Sequence, residues 1–284
     1  MRKATLVVIF TFVLAILNGQ ELYIKSYGEP GNIPLIYLHG GPGYNSVNFE
    51  ASTAERLSKE GYFVIVYDRR GEGRSAIAPA KFNFEESISD LLSIYERHNL
   101  TKANLLGHSF GGILATKFAE VHPEKVKSVL FVGAPVSLQQ SFKNIIKRSH
   151  EIYTEKGDSL NLYYMAMLGA MDKASLEYSS YCFAHAMQNG FYRPQELSDE
   201  AKSIYAALGK DSAVMKYVSQ MTYEGPKGFW KNEKYTSIEL AESMKNLIIK
   251  GIPFYGMYGK EDGLYSSEQV AEFGLIAGEN HLKY

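Results

Sequence analysis

The sequence predicts an α/β fold, a mostly parallel sheet with helices on both faces, and three observations predict it. Near-continuous apolar runs at 34–38, 62–67 and 126–132 alternate with amphipathic stretches, which is the order expected of parallel strands covered on both sides. The stretch from Asn104 to Gly112 runs a short apolar strand into Gly107-His108-Ser109-Phe110-Gly111 and straight on into a helix. Small residues two before and two after the serine let the backbone bend sharply and project the hydroxyl, so Ser109 reads as a nucleophile. Finally, His39, Asp68 and Ser109 each directly follow a strand, at the carboxyl edge where open α/β sheets gather their reactive groups.

Composition bounds the rest. A chain of 284 residues, 45% hydrophobic and 21% charged, has room for one or two domains with a sizeable core, and neither disorder nor a fibrous repeat fits. Its 30 basic and 31 acidic residues leave a net charge of −1, so no long-range field draws it to nucleic acid or anionic lipid. Cys182 is the only cysteine, which excludes an internal disulfide. No metal-ligand cluster or nucleotide fingerprint stands out, and no cofactor is expected.

In chain order, Met1-Arg2-Lys3, an apolar run from Ala4 to Leu17 and Asn18-Gly19-Gln20 have the layout of a signal peptide over residues 1–20. The run is short of the about 20 residues a membrane span needs, so the expectation is an exported protein, periplasmic or secreted, with no stable span after cleavage. Glu21 to Ser26 alternates weakly, as an edge strand does. The strand at 34–38 ends in His39-Gly40-Gly41-Pro42-Gly43, a loop whose bare backbone amides suit an oxyanion. Asn48 to Glu60 has helical spacing, and the strand at 62–67 runs into the charged glycine loop from Asp68 to Ser75. That loop lacks the Gly-Lys-Ser/Thr ending of a phosphate-binding loop and reads as a polar network beneath the site.

An amphipathic helix over 84–99 precedes the Ser109 strand. After the strand at 126–132 the buried-strand pattern stops, and within residues 137–236 helical stretches take over, at 138–153, 159–171, 174–187, 198–208 and 212–221. They read as a helical cap inserted into a core of residues 21–136 and 237–284, because the sheet pattern returns with a helix over 238–250 and a strand over 252–259. Asp262 follows that strand, and a helix is expected over 266–275.

Three elements resemble the α/β-hydrolase superfamily, and within it the prolyl aminopeptidase (proline iminopeptidase)-like serine hydrolases. They are His39-Gly40-Gly41-Pro42-Gly43, the Asp68 to Ser75 loop and Gly107-His108-Ser109-Phe110-Gly111. The third differs from the peptidases' usual Gly-Gly-Ser-Trp-Gly and matches the Gly-His-Ser-x-Gly of esterases and lipases. The resemblance implies an α/β-hydrolase fold in which Ser109 is the nucleophile and Asp262 the acid that orients a histidine. It also implies an oxyanion hole made by the backbone N–H groups of Gly41 and Phe110.

The histidine of that triad should follow Asp262, beyond a helix and one further strand. The only histidine there, His281, stands at the beginning of the last strand, a strand length away from the carboxyl edge. The expectation is therefore a chain truncated within its last strand, with the final helix and the catalytic histidine beyond Tyr284. Of the other histidines, His39 and His108 shape their turns, His98 and His122 sit at helix ends facing solvent, and His150 and His185 fall in the cap.

The function expected is that of a serine hydrolase that cleaves a small-molecule ester or amide through an acyl-enzyme, with an N-terminal-residue (proline) aminopeptidase as one form of it. The alternatives are a non-catalytic ligand-binding protein on the same fold and a cofactor-free perhydrolase. Ser109 argues against the dehalogenases and epoxide hydrolases of this fold, whose nucleophile is an aspartate.

Overall fold

The computed structural model describes residues 22–284, so the signal-peptide reading falls outside the described residues. A seven-stranded sheet runs in the order β1-β3-β2-β4-β5-β6-β7. Its strands are β1 (Ile24–Tyr27), β2 (Ile33–Leu38), β3 (Tyr62–Tyr67), β4 (Ala103–His108), β5 (Val126–Val132), β6 (Phe254–Met257) and β7 (Leu282–Lys283). Among the described strands only β1 is antiparallel to its neighbour; the other five pairings are parallel. This is the mostly parallel sheet, with helices on both faces, that the alternation of buried strands and helices predicts.

Each buried strand sends alternate side chains to opposite faces. On one face Ile36, Leu38, Ile65, Leu105, Val129, Phe131 and Phe254 form the main core. They pack with α3 (Phe84–Arg97), α4 (Phe110–Val121), α11 (Ala241–Ile249) and α12 (Ser267–Ala277). On the other face Leu35, Tyr37, Val64, Val66 and Leu106 form a smaller cluster beneath α1 (Val47–Phe49) and α2 (Glu55–Lys59). The single helix expected over 48–60 is broken here by a π-helical segment, Glu50–Ala54. Glu50 lies inside it and accepts hydrogen bonds from Tyr23, Tyr27 and Lys25 of the β1 edge at 2.8–3.0 Å.

Between β5 and α11 the chain forms six helices: α5 (Leu138–Lys156), α6 (Ser159–Ala170), α7 (Leu176–Gln188), α8 (Asp199–Leu208), α9 (Ser212–Tyr217) and α10 (Glu224–Glu233). Five open on side-chain caps written in the sequence, Ser137, Asp158, Ser175, Ser198 and Asp211, each accepting a backbone N–H from the first turn. The insertion joins the main core through residues such as Phe142, Tyr153, Tyr178 and Phe229. Among the described residues no helix is long and apolar enough to cross a membrane.

Candidate active site

Ser109 stands between β4 and α4 with φ 52° and ψ −121°, outside the regions that non-glycine residues ordinarily occupy. Such strain costs about 1–3 kcal/mol and persists only where the surroundings impose it. The surroundings here are tight. A Cβ on Gly111 would lie 2.0 Å from the Leu38 carbonyl oxygen, and one on Gly107 would lie 2.5 Å from the Gly112 backbone. The Ser109 N–H donates to Val132 O at 3.2 Å and its carbonyl accepts from Gly112 N–H at 2.9 Å, so the bend is held from both sides.

The loop after β2 packs directly on this turn: a Cβ on Gly40 would lie 3.3 Å from Ser109 Cβ. Arg69, only 3% exposed, sets the loop's orientation. Its guanidinium donates to the carbonyls of His39 and Gly40, the latter at 2.6 Å. In a planar trans peptide the carbonyl and the next N–H point in opposite directions. Holding Gly40 O toward Arg69 therefore turns the Gly41 N–H away from it. Neither the Gly41 nor the Phe110 N–H has a protein acceptor among the described backbone hydrogen bonds outside helices and strands, and Phe110 is the first residue of α4, where the N–H groups are unpaired.

A buried ionic network underlies the loop. Glu72, fully buried, pairs with Arg69 at 2.7 Å and accepts the Gly43 N–H at 2.9 Å. Asp68 accepts from Arg74 and from both the N–H and hydroxyl of Ser46. Burial opposes ionisation of Asp68, but the Arg74 bonds and charge prevail and hold it at about 2. His39 is buried and neutral, since burial and the adjacent Arg69 charge push its pKa well down. Its Nε2 accepts the Arg69 N–H at 3.0 Å, leaving Nδ1–H for Gly40 O at 2.9 Å. Both ring nitrogens are thus occupied in shaping the loop.

Asp262 follows β6, one strand over from the β5 end that pairs with Ser109. Its Oδ1 accepts the Leu264 N–H at 2.8 Å, while Oδ2 lies 3.8 Å from where a Gly133 Cβ would be and accepts no hydrogen bond from the described residues. Burial raises the carboxyl pKa against the opposing Leu264 N–H and Arg148 charge. Ser109, Gly41, Phe110 and Asp262 therefore all lie at the carboxyl edge of adjoining strands.

Among the described residues no histidine nitrogen is hydrogen-bonded to Ser109 or to Asp262. His281 packs on Tyr255 at 4.4 Å, before β7 begins. His185 bonds Tyr153 Oη at 2.9 Å inside the insertion. His108 is exposed at the end of β4, and His98, expected at a helix end facing solvent, lies edge-on to Phe63.

Contacts from the insertion are what the sequence reading missed. Thr222 N–H donates to Gly43 O at 3.0 Å, Gly263 N–H donates to Phe191 O at 3.0 Å, and Arg148 donates to Asp262 O at 3.0 Å. Two of these bonds run backbone to backbone and the third ends on a carbonyl, so no residue type advertises them. Arg69 and Glu72 had one signal, opposite charges three apart in a glycine loop directly after a buried strand.

A family model described as alpha/beta hydrolase fold matches residues 33–215. The proline iminopeptidase of Lactobacillus helveticus is 37% identical over 117 residues, 39% of this chain and 40% of its own length. That of Clostridioides difficile is 35% identical over 118 residues, 40% of each. The chain thus spans about 40% of the length of these curated relatives. Among solved structures, a proline iminopeptidase-related protein from Thermus thermophilus superposes with a TM-score of 0.61 at 18% identity, covering 90% of this chain and 82% of that one. A carboxylesterase structure from Nitrososphaera gargenis gives 0.59 at 20% identity, covering 92% and 84%. At such identities the structural likeness speaks for the fold.

Proposed function

The chain belongs to the α/β-hydrolase family, and we propose that it is a serine hydrolase acting on a small ester or amide through an acyl-enzyme at Ser109. The observation that carries this reading is the positive φ of Ser109 at a strand-to-helix bend, packed against Gly40 with Asp262 past the end of β6. Ser109 Oγ attacks the carbonyl carbon while an imidazole takes its proton. The oxyanion so formed accepts the Gly41 and Phe110 N–H groups. Collapse expels the alcohol or amine, which takes the proton back, and water then releases the acid by the same route. Asp262 Oδ2, which accepts no hydrogen bond from the described residues, would receive the imidazole N–H. The helical insertion serves as a cap that selects the substrate. Similarity to proline iminopeptidases supports an N-terminal proline substrate, and His108 before the serine supports an ester.

A fluorophosphonate probe and nitrophenyl acetate test the reading. Because no described histidine meets Ser109, the chain alone is expected to react slowly, a missing triad member costing up to ~10⁶ in kcat. Added imidazole should raise Ser109 labelling, and Ser109→Ala should abolish it. No labelling with or without imidazole would favour the second reading, a non-catalytic ligand-binding protein, which the lack of a histidine bonded to Ser109 or Asp262 among the described residues also supports. Comparing proline-nitroanilide with short acyl esters separates peptidase from esterase.

A further inference from the structure

We propose that Arg148 and Asn144 of α5 are positioning residues for Asp262, fastening the loop 259–264 to the helical insertion. The proposal rests on reading Asp262 as the acid of the site. Four contacts converge on that short loop. Arg148 Nη1 donates to Asp262 O at 3.0 Å and Asn144 Nδ2 donates to Gly263 O at 3.1 Å. Gly263 N–H donates to Phe191 O at 3.0 Å, and Gln195 N–H donates to Glu261 Oε2 at 2.8 Å.

Asn144 and Arg148 are one helical turn apart and so share a face of α5. Ser141 extends that face and accepts from Gln269 of α12 at 3.2 Å. The Arg148 guanidinium also lies 4.9 Å from the Phe191 ring centroid. Phe191 in turn leaves no space at Gly263, where a Cβ would lie 2.2 Å from the ring. The loop is therefore pinned through its backbone, and the Asp262 side chain is left free to aim Oδ2 toward the Gly133 end of β5.

The electrostatics act in the same sense. The titratable groups that face Asp262 include the phenols Tyr192, Tyr258 and Tyr265, all pushed up by burial and hence neutral wherever a carboxylate titrates. Arg148 is the cation that acts on the carboxyl, and it favours the ionised form that an imidazolium needs beside it.

The test uses the full chain with Arg148→Met, which keeps the apolar stem over Phe191, Arg148→Lys, which restores a cationic donor, and Asn144→Leu. Carboxyl NMR of Asp262 and amide exchange over 259–264 are the readouts. In Arg148→Met the Asp262 midpoint should move to higher pH and the Gly263 amide should exchange at least about fivefold faster, the factor equivalent to one lost hydrogen bond of ~1 kcal/mol. Arg148→Lys should recover most of the midpoint. Asn144→Leu should speed exchange with little change in midpoint. An unchanged midpoint together with unchanged loop exchange in Arg148→Met overturns the proposal. Asp262→Asn, assayed by imidazole-assisted labelling of Ser109, reports on the acid reading separately. If labelling ignores Asp262, the catalytic reading of that residue fails while the two NMR readouts still decide whether Arg148 fastens the loop.

Discussion

Arg69 shows how much of the site depends on a side chain that touches no substrate. It holds two carbonyls of the loop after β2, neutralises Glu72 and lies 5.1 Å from the Phe110 ring centroid, beside the other expected oxyanion donor. Replacing it by methionine leaves the Glu72 carboxylate buried without a counter-charge, a loss expected to cost about 3–5 kcal/mol in urea unfolding. The double variant Arg69→Met/Glu72→Leu should regain a large part of that stability while Ser109 labelling stays low. If labelling recovers too, the guanidinium is not what orients Gly41. Asp68 provides a pH-dependent check. Its carboxyl pKa, about 2 when folded, lies below the ordinary 3.8, so the stabilisation is fully present above pH ~4. It is lost as the pH falls toward 2, by about 2 kcal/mol in all, and Asp68→Asn should flatten acid unfolding in that window. Ser109 could be read from sequence because a sharp bend dictates its neighbours: Gly111→Ala, with Leu38 O 2.0 Å from the new Cβ, is expected to destabilise by ~3 kcal/mol or more. The role of Arg69 could not, because it acts on backbone carbonyls that any residue supplies.

At the scale of elements, the buried strands were the most legible parts, since a run such as Tyr62–Tyr67 has no other way to satisfy both its apolar side chains and its backbone. Two helices were not legible. The segment 48–60 has one continuous helical period, yet it widens into a π turn at Glu50, whose carboxylate also pairs with Arg74. The cause is tertiary: four side chains from outside the helix converge on one acid. Glu50→Ala should accordingly loosen β1, with amides of Ile24–Tyr27 exchanging faster and a stability loss of about 2–3 kcal/mol. The other is α10, whose ten residues hold two glycines and a proline and so carry weak helix propensity. Phe229 supplies what propensity lacks. It lies 2% exposed, with ring centroids of Phe82, Phe84 and Phe110 at 4.9–6.2 Å.

Across the whole molecule the two faces of the sheet are unequally covered. The face carrying Phe131 and Phe254 is buried under α4, α11 and α12, whereas on the other face α1 and α2 cover the β1–β3–β2 side. There Phe49 stacks on Tyr37 at 3.8 Å. Beyond them a groove of about 740 Å³ opens over β4, β5, β6 and β7, lined by Leu106, Leu130, Val132, Tyr255, Met257 and Leu282. Apolar surface of that kind attracts hydrophobic dyes and self-association. Side chains on one strand should therefore respond in opposite ways to substitution. Phe254→Ala removes a fully buried ring and is expected to cost about 3–5 kcal/mol. Met257, three residues on and 55% exposed, should accept lysine with a change within about 0.5 kcal/mol. The same Met257→Lys variant should bind less anilinonaphthalene sulfonate than the parent and sediment with less association. A large destabilisation by Met257→Lys, comparable to that of Phe254→Ala, would mean instead that this half of the face is covered in solution.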